Sequence, residues 1–167
     1  MATLNYLSGY APELQEKIQQ MIEQDSLRAF LQKKHPGTHN IRSDAALRDY
    51  TLALKNRFMK KSAPLSKVAY DNKIHVIHGA LGTHSYVARV QGGKLKSKNE
   101  IRIGSVFKKA PEAFLNMIVV HELAHLKEKG HNKAFYKLCE HMLPDYHQRE
   151  FEMRLYLTQL ELSGPDI

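Results

Sequence analysis

Cysteine, tryptophan and long apolar stretches are scarce in this sequence. Cys139 is the single cysteine among 167 residues, and there is no tryptophan. A disulfide framework inside the chain is therefore excluded, and a reducing compartment is expected. The longest apolar run, residues 117–120, ends at His121 and is far shorter than the ~18 residues of a membrane span. The first residues lack the basic and apolar regions of a signal peptide. We therefore expect a cytoplasmic protein that does not enter a membrane.

The composition is that of a globular protein with a surplus of positive charge. Apolar residues make up 43% of the chain, charged residues make up 25%, and the formal net charge is +8. A chain of this length forms a core without cross-links, so residues 1–167 are predicted to be a single domain. The charge is compatible with a solvated lysine-rich surface and equally with sequence-independent binding of DNA or RNA. Oligomeric state is not encoded in these features.

The first part of the chain, residues 1–64, is predicted to be helical. Apolar residues recur at helical spacing after Pro12, which suggests a helix over residues 12–34. A second helix is expected from a Ser43 cap to Phe58. The end of this second helix and the residues after it carry four basic side chains, Lys55, Arg57, Lys60 and Lys61.

The middle of the chain has a residue pattern that is typical of β-strands. Strands are predicted at residues 67–78, 85–91 and 100–107, with short turns between them, which gives a small antiparallel sheet. Ile101, Ile103 and Phe107 alternate and are expected on one covered face. Because the connection to the following helix is short, the last strand should lie at a sheet edge beside that helix. The fold class is therefore α+β, with the sheet and the remaining helices in residues 65–167.

Helical signals return at Pro111. We expect Pro111 to be the first residue of an apolar helix that ends near Gly130. Asn132 is a suitable cap for a following helix that stops before Pro144, and a last helix is predicted over residues 146–162. Cys139 shares helical spacing with apolar residues of the second of these helices, so it is interpreted as a small core residue.

The pattern His-Glu-x-x-His at residues 121–125 indicates a metal site in the apolar helix. His121 and His125 are about 40° apart around a helix and ~6 Å apart along it, so both rings can bind one cation. Glu122 lies at the flank of that face, where a carboxylate can serve as general base toward water at the metal. The alternative is an exposed polar helix face with two incidental histidines.

A catalytic zinc ion usually has three protein ligands, so a further ligand is expected downstream. His131 is the first choice, provided that the helix ends between His125 and His131. Gly130 could supply that end because glycine tolerates a left-handed conformation. Alternative third ligands are Glu140, His141, Asp145 and His147. Among the strand histidines His75, His78 and His84, only His84 is considered a candidate for the cleft.

Three segments resemble the YgjP-like metallopeptidases. These are IVVHELAHL at residues 118–126, HNKAFY at residues 131–136 and PDY at residues 144–146. That family is a group of zincins related to the SprT-like and Wss-type DNA-associated proteases. The resemblance implies a zincin-like fold, Zn²⁺ at His121, His125 and His131, and Glu122 as general base. It also implies that the strand at residues 100–107 holds an extended peptide substrate by β-addition.

Three functions remain open from the sequence. The leading one is a zinc-dependent hydrolase of the metallopeptidase type, acting on a peptide or protein substrate. The second is a metal-dependent nuclease, because the H-x3-H-x5-H spacing also resembles YbeY-type endoribonucleases and the charge of +8 suits RNA. Those nucleases typically lack the glutamate after the first histidine, so Glu122 favours the peptidase. The third is a non-catalytic protein that binds nucleic acid and has a structural zinc ion.

Overall fold

Helices form the N-terminal part of the computed structural model, which describes residues 4–74 and 99–163. A 3-10 turn at Asn5–Leu7 precedes α1 (Pro12–Glu23) and α2 (Leu27–Lys34). The single helix predicted over residues 12–34 is therefore two helices. The break lies at Asp25, whose φ of 55° is in the left-handed region. Aspartate tolerates this conformation better than most residues, since its short polar side chain can hydrogen-bond locally.

The third helix, α3, spans Asp44–Phe58 and confirms the sequence prediction at both ends. The Ser43 hydroxyl accepts a hydrogen bond from the Ala46 N–H at 3.0 Å, which satisfies one of the free donors at the helix start. Leu47 on its inner face is fully buried in the common core. The first strand begins soon after this helix, at Leu65.

Two strands pair in the described part of the chain, and they are parallel. β1 spans Leu65–Asp71 and β2 spans Asn99–Gly104, with Val68 opposite Ile101. The predicted antiparallel arrangement is therefore wrong for this pair. Parallel strands need a crossover of a dozen residues or more, and the intervening residues 72–98 are long enough to provide one. The whole predicted strand at residues 85–91 lies outside the described residues, as do residues 75–78.

β2 is shorter than predicted, but its apolar side chains are buried as expected. Ile101, Ile103 and Phe107 are all inaccessible to solvent. The strand ends at Gly104, and Phe107 lies in a 3-10 turn at Ser105–Lys108 rather than on the pleat. The turn leads directly to the next helix, which packs against β2. The predicted proximity of this strand and the metal-site helix is confirmed.

Helix α4, Glu112–Ala124, is the centre of the structure. It packs against α3, β2 and the two C-terminal helices, α5 (Lys133–Met142) and α6 (Tyr146–Ser163). Ten of its thirteen residues are buried, which explains its nearly continuous apolar sequence. Pro111 is the residue before the helix rather than its first residue, because its ψ of 147° is extended. No helix in the described ranges is long and apolar enough to cross a membrane.

Candidate metal centre

The three histidines of the sequence prediction meet at one point. His121 lies in the last turn of α4, His125 caps the end of that helix, and His131 precedes α5. The Nε2 atom of His125 is 3.2 Å from that of His121 and 3.2 Å from that of His131, and the third distance is 3.3 Å. Three ring nitrogens thus form a nearly equilateral triangle, with two of the rings buried and His131 half-buried.

The chain brings His131 back by ending α4 earlier than predicted. The helix stops at Ala124, and a turn follows in which the N–H groups of Lys127 and Glu128 both donate to the Ala124 carbonyl. Gly130 does not have the left-handed backbone that the sequence interpretation assigned to it, since positive φ in the described glycines occurs at Gly37. The return of the chain therefore depends on a whole turn between His125 and His131 rather than on one glycine.

The triangle of nitrogens fits a tetrahedral zinc ion. Zinc–nitrogen bonds of ~2.0–2.1 Å at tetrahedral angles place neighbouring nitrogens about 3.3 Å apart. The observed separations of 3.2–3.3 Å agree with this value. Three imidazoles leave a fourth position for water or substrate, as in catalytic zinc sites. The arrangement of His121, His125 and His131 could therefore hold such an ion with the rings where they are.

Two of the rings are oriented by hydrogen bonds at their other nitrogen. His125 Nδ1 lies 2.9 Å from the Glu128 carbonyl oxygen, which can only accept. The proton is thus on Nδ1, and the lone pair of Nε2 points to the centre of the triangle. His121 Nδ1 lies 2.8 Å from the Tyr146 hydroxyl, which can play the same part. Partners of this type fix the ring orientation in metal sites.

The apolar ring of Phe135 contacts the rings of all three histidines of the cluster. Its centroid lies 4.9 Å from that of His121, 4.5 Å from His125 and 5.0 Å from His131. Phe135 is in the first turn of α5, and its N–H donates to the Asn132 side chain at 2.8 Å, which confirms the predicted cap. The contact of Phe135 with all three histidines was not predicted from the sequence.

Glu122 is completely buried next to the cluster. Burial raises the pKa of its carboxyl group well above the ordinary value. Neither oxygen has a hydrogen-bond partner among the residues that the structure describes. A buried carboxyl group without a partner is costly, and such groups are found at functional sites more often than elsewhere in a core. The side chain therefore suits an interaction with a molecule that enters the site.

The other candidate ligands lie elsewhere. Glu140 and His147 pair with each other at 2.9 Å, with both side chains about half exposed. Asp145 accepts from Arg149 at 3.0 Å, and His141 packs edge-on against the Phe58 ring. None of these four belongs to the cluster. His75, His78 and His84 are outside the described residues.

Cys139 is a core residue, as the helical spacing predicts. It is fully buried, and burial raises the pKa of its thiol to about 12. A thiol of this kind stays protonated and is a poor nucleophile or metal ligand. Its neighbour Tyr146 is equally buried and was not found from the sequence as a site residue. The only local signal for Tyr146 was its place in the PDY segment after α5.

A histidine cluster with a buried glutamate on an α+β framework is the arrangement of a metal-dependent hydrolase. The YgjP-like metallopeptidase domain model matches residues 86–156. The chain is also 58% identical over 163 residues to the UTP pyrophosphatase of Escherichia coli (strain K12), with 98% of each chain covered. No solved structure matches the chain. The protein therefore belongs to the YgjP-like family, which implies a metal cofactor.

Proposed function

We propose that this protein is a zinc-dependent hydrolase that cleaves UTP to UMP and pyrophosphate. The choice of UTP as substrate rests on the 58% identity, over 98% of both chains, to a protein named for that activity. The geometry supports the reaction class, because His121, His125 and His131 converge beside the buried Glu122. A peptidase needs the same parts, so the substrate is proposed from the relative and the hydrolytic chemistry from the site.

The proposed roles follow from the contacts of each side chain. A zinc ion bound at the three Nε2 atoms would supply a Lewis acid for a phosphoryl oxygen and would lower the pKa of adjacent water. Glu122 takes the proton of the attacking water, because its buried carboxyl group directly follows the ligand His121 on α4 and has no hydrogen-bond partner among the described residues. Tyr146 and the Glu128 carbonyl hold the rings of His121 and His125 in place.

The reaction balances without a further reagent. The oxygen of water forms a bond to the α-phosphorus, and the bond from that phosphorus to the oxygen that bridges it to the β-phosphorus breaks. The electron pair of the broken bond leaves with pyrophosphate. Glu122 accepts one proton from the water and can return it to solvent or product, so that the carboxylate is restored for the next turnover.

Peptide hydrolysis is the second candidate function. It is favoured by the placement of β2 directly against α4, which puts a strand next to the helix that carries His121 and Glu122. An extended peptide added beside this strand would lie next to the same part of the fold as α4. The matching domain model is also described as a metallopeptidase. UTP has no backbone to pair with a strand, so substrate assays separate the two activities.

The test is an assay of the zinc-loaded protein with UTP and, in parallel, with an unfolded protein such as casein. We expect UMP and pyrophosphate in equal amounts from UTP. Glu122→Gln should keep the metal but lower turnover by ~10²–10⁴-fold, because an amide cannot accept the proton. Glu140→Gln, which alters an exposed carboxyl group on α5, is the matched control. Cleavage of casein without UTP turnover would support the peptidase instead.

A further inference from the structure

A basic cleft of about 430 Å³ lies beside the end of α4. One wall consists of residues 57–63, which form the end of α3 and the segment after it. The other wall consists of Leu126 and Lys127, in the turn after α4. These two segments are far apart in sequence, and only the first was identified as basic from the sequence. The fold brings them together, and Leu126 directly follows the cluster residue His125.

Four of the nine residues that line this cleft carry a positive charge. Arg57, Lys60, Lys61 and Lys127 line it and are exposed, and no carboxylate is among its lining residues. Lys55 adds a buried ammonium group behind the same segment and donates to the Ser62 carbonyl at 3.2 Å. Clustered cations without neighbouring carboxylates create a positive potential that attracts a multiply charged anion.

The walls of the cleft are held in place by packing. Met59 is buried, and the Ser62 hydroxyl donates to its carbonyl, which fixes the turn after α3. The Arg57 guanidinium lies 4.8 Å from the centroid of the Phe58 ring, which restrains it by a cation–π contact. The Phe58 ring also makes an edge-on contact with His141 of α5, with 5.6 Å between the ring centroids. Arg57 therefore loses less side-chain entropy on binding an anion than an unrestrained surface side chain does.

We propose that this cleft binds the β- and γ-phosphates of the nucleoside triphosphate while the α-phosphorus lies at the histidine cluster. The inference rests on the proposed function and adds the residues that recognise the leaving group. Pyrophosphate takes the electron pair of the broken bond, so its negative charge increases as the reaction proceeds. Arg57, Lys60, Lys61 and Lys127 would stabilise that charge through charge-assisted hydrogen bonds.

The test uses the zinc-loaded protein and α,β-methylene-UTP, in which the bond to be cleaved is replaced by a carbon bridge. The cleft variant Lys61→Gln/Lys127→Gln is compared with Lys17→Gln/Lys33→Gln, which removes the same charge from exposed sites on α1 and α2. Calorimetry gives the Kd of the analogue, and steady-state assays give the KM for UTP. We expect both constants to rise about tenfold or more in the cleft variant only, from the loss of charged hydrogen bonds. Zinc content should be equal in both variants.

Two outcomes would overturn the inference. One is a cleft variant whose Kd and KM equal those of the control. The other is a cleft variant that loses affinity for a single-stranded RNA but keeps its Kd and KM, which would make the cleft a nucleic-acid surface. Failure of the proposed function is a different result, namely absence of UTP turnover in the zinc-loaded wild-type protein, so the two claims are tested separately.

Discussion

His121 Nδ1 and the Tyr146 hydroxyl lie 2.8 Å apart and connect the candidate metal centre to the first residue of α6. The hydroxyl is fully buried, so it has no solvent partner to replace the histidine. The contact orients the His121 ring from the side opposite the other two histidines. In metal sites such outer partners keep the ligand ring in place and raise its basicity.

Removal of this hydroxyl should weaken metal binding without unfolding the protein. We expect Tyr146→Phe to lower zinc affinity by about 10–100-fold, the usual effect of losing an outer partner of a ligating histidine. Competition with a chromogenic chelator measures the affinity. Tyr156→Phe is the matched control, since Tyr156 is also buried on α6 but packs against Phe114. Equal affinities of the two variants would show that the Tyr146 contact has no part in metal binding.

The cap of α5 should contribute to both stability and the position of His131. Asn132 follows His131 directly, and its side chain accepts from the Phe135 N–H at 2.8 Å. We expect Asn132→Ala to lower the free energy of unfolding by about 0.5–2 kcal/mol, measured by urea denaturation, because a helix donor loses its partner. Asn132→Ser keeps an acceptor without placing a negative charge beside Glu128, and it should restore most of the loss. A serine variant as unstable as the alanine variant would contradict the capping explanation.

The buried Glu152 should make stability depend on pH in acid. Burial alone would raise the pKa of this carboxyl group, but hydrogen bonds from Lys34, Gln148 and His35 together lower it below the ordinary value of 4.5. The His35 Nε2 atom lies 2.7 Å and the Gln148 Nε2 atom 2.8 Å from its oxygens. A carboxyl group with a lowered pKa in the folded state contributes stability above its unfolded pKa and loses it as the pH falls through the folded pKa.

The expected result concerns the difference in unfolding free energy between the wild-type protein and Glu152→Gln. This difference should be largest above about pH 5 and should shrink as the pH falls below about 4.5. Chemical denaturation at a series of pH values measures it. Glu16→Gln, an exposed change on α1, serves as the control. A difference that stays constant or grows in acid would contradict the lowered pKa.

Features set by neighbouring residues were predictable from the sequence. The caps at Ser43 and Asn132 were recognised because a cap depends on residues three positions away. The break at Asp25 was missed because no glycine or proline interrupts residues 13–34. The parallel pairing of β1 and β2 was missed because pairing depends on the path of residues 72–98, which alternation does not encode.

The candidate site also combines features that local sequence predicts with features that it does not. The approach of His121 and His125 follows from helix geometry, so four-residue spacing was enough to predict it. The position of His131 was predicted for the wrong reason, since the early end of α4 at Ala124 carries it back. The contact of Tyr146 with His121 depends on the packing of separate helices, which no local sequence pattern predicts. The same is true of the cleft that Arg57 and Lys127 both line.

The most direct test of the account is the metal content of the purified, zinc-loaded protein and of two histidine variants. We predict about one zinc ion per chain in the wild-type protein and in His141→Ala, whose histidine lies outside the cluster. His131→Ala should lose the metal under the same conditions, together with UTP hydrolysis. A wild-type protein that binds no metal, or a His131→Ala variant that retains it as firmly as His141→Ala, would contradict the histidine cluster as the metal centre.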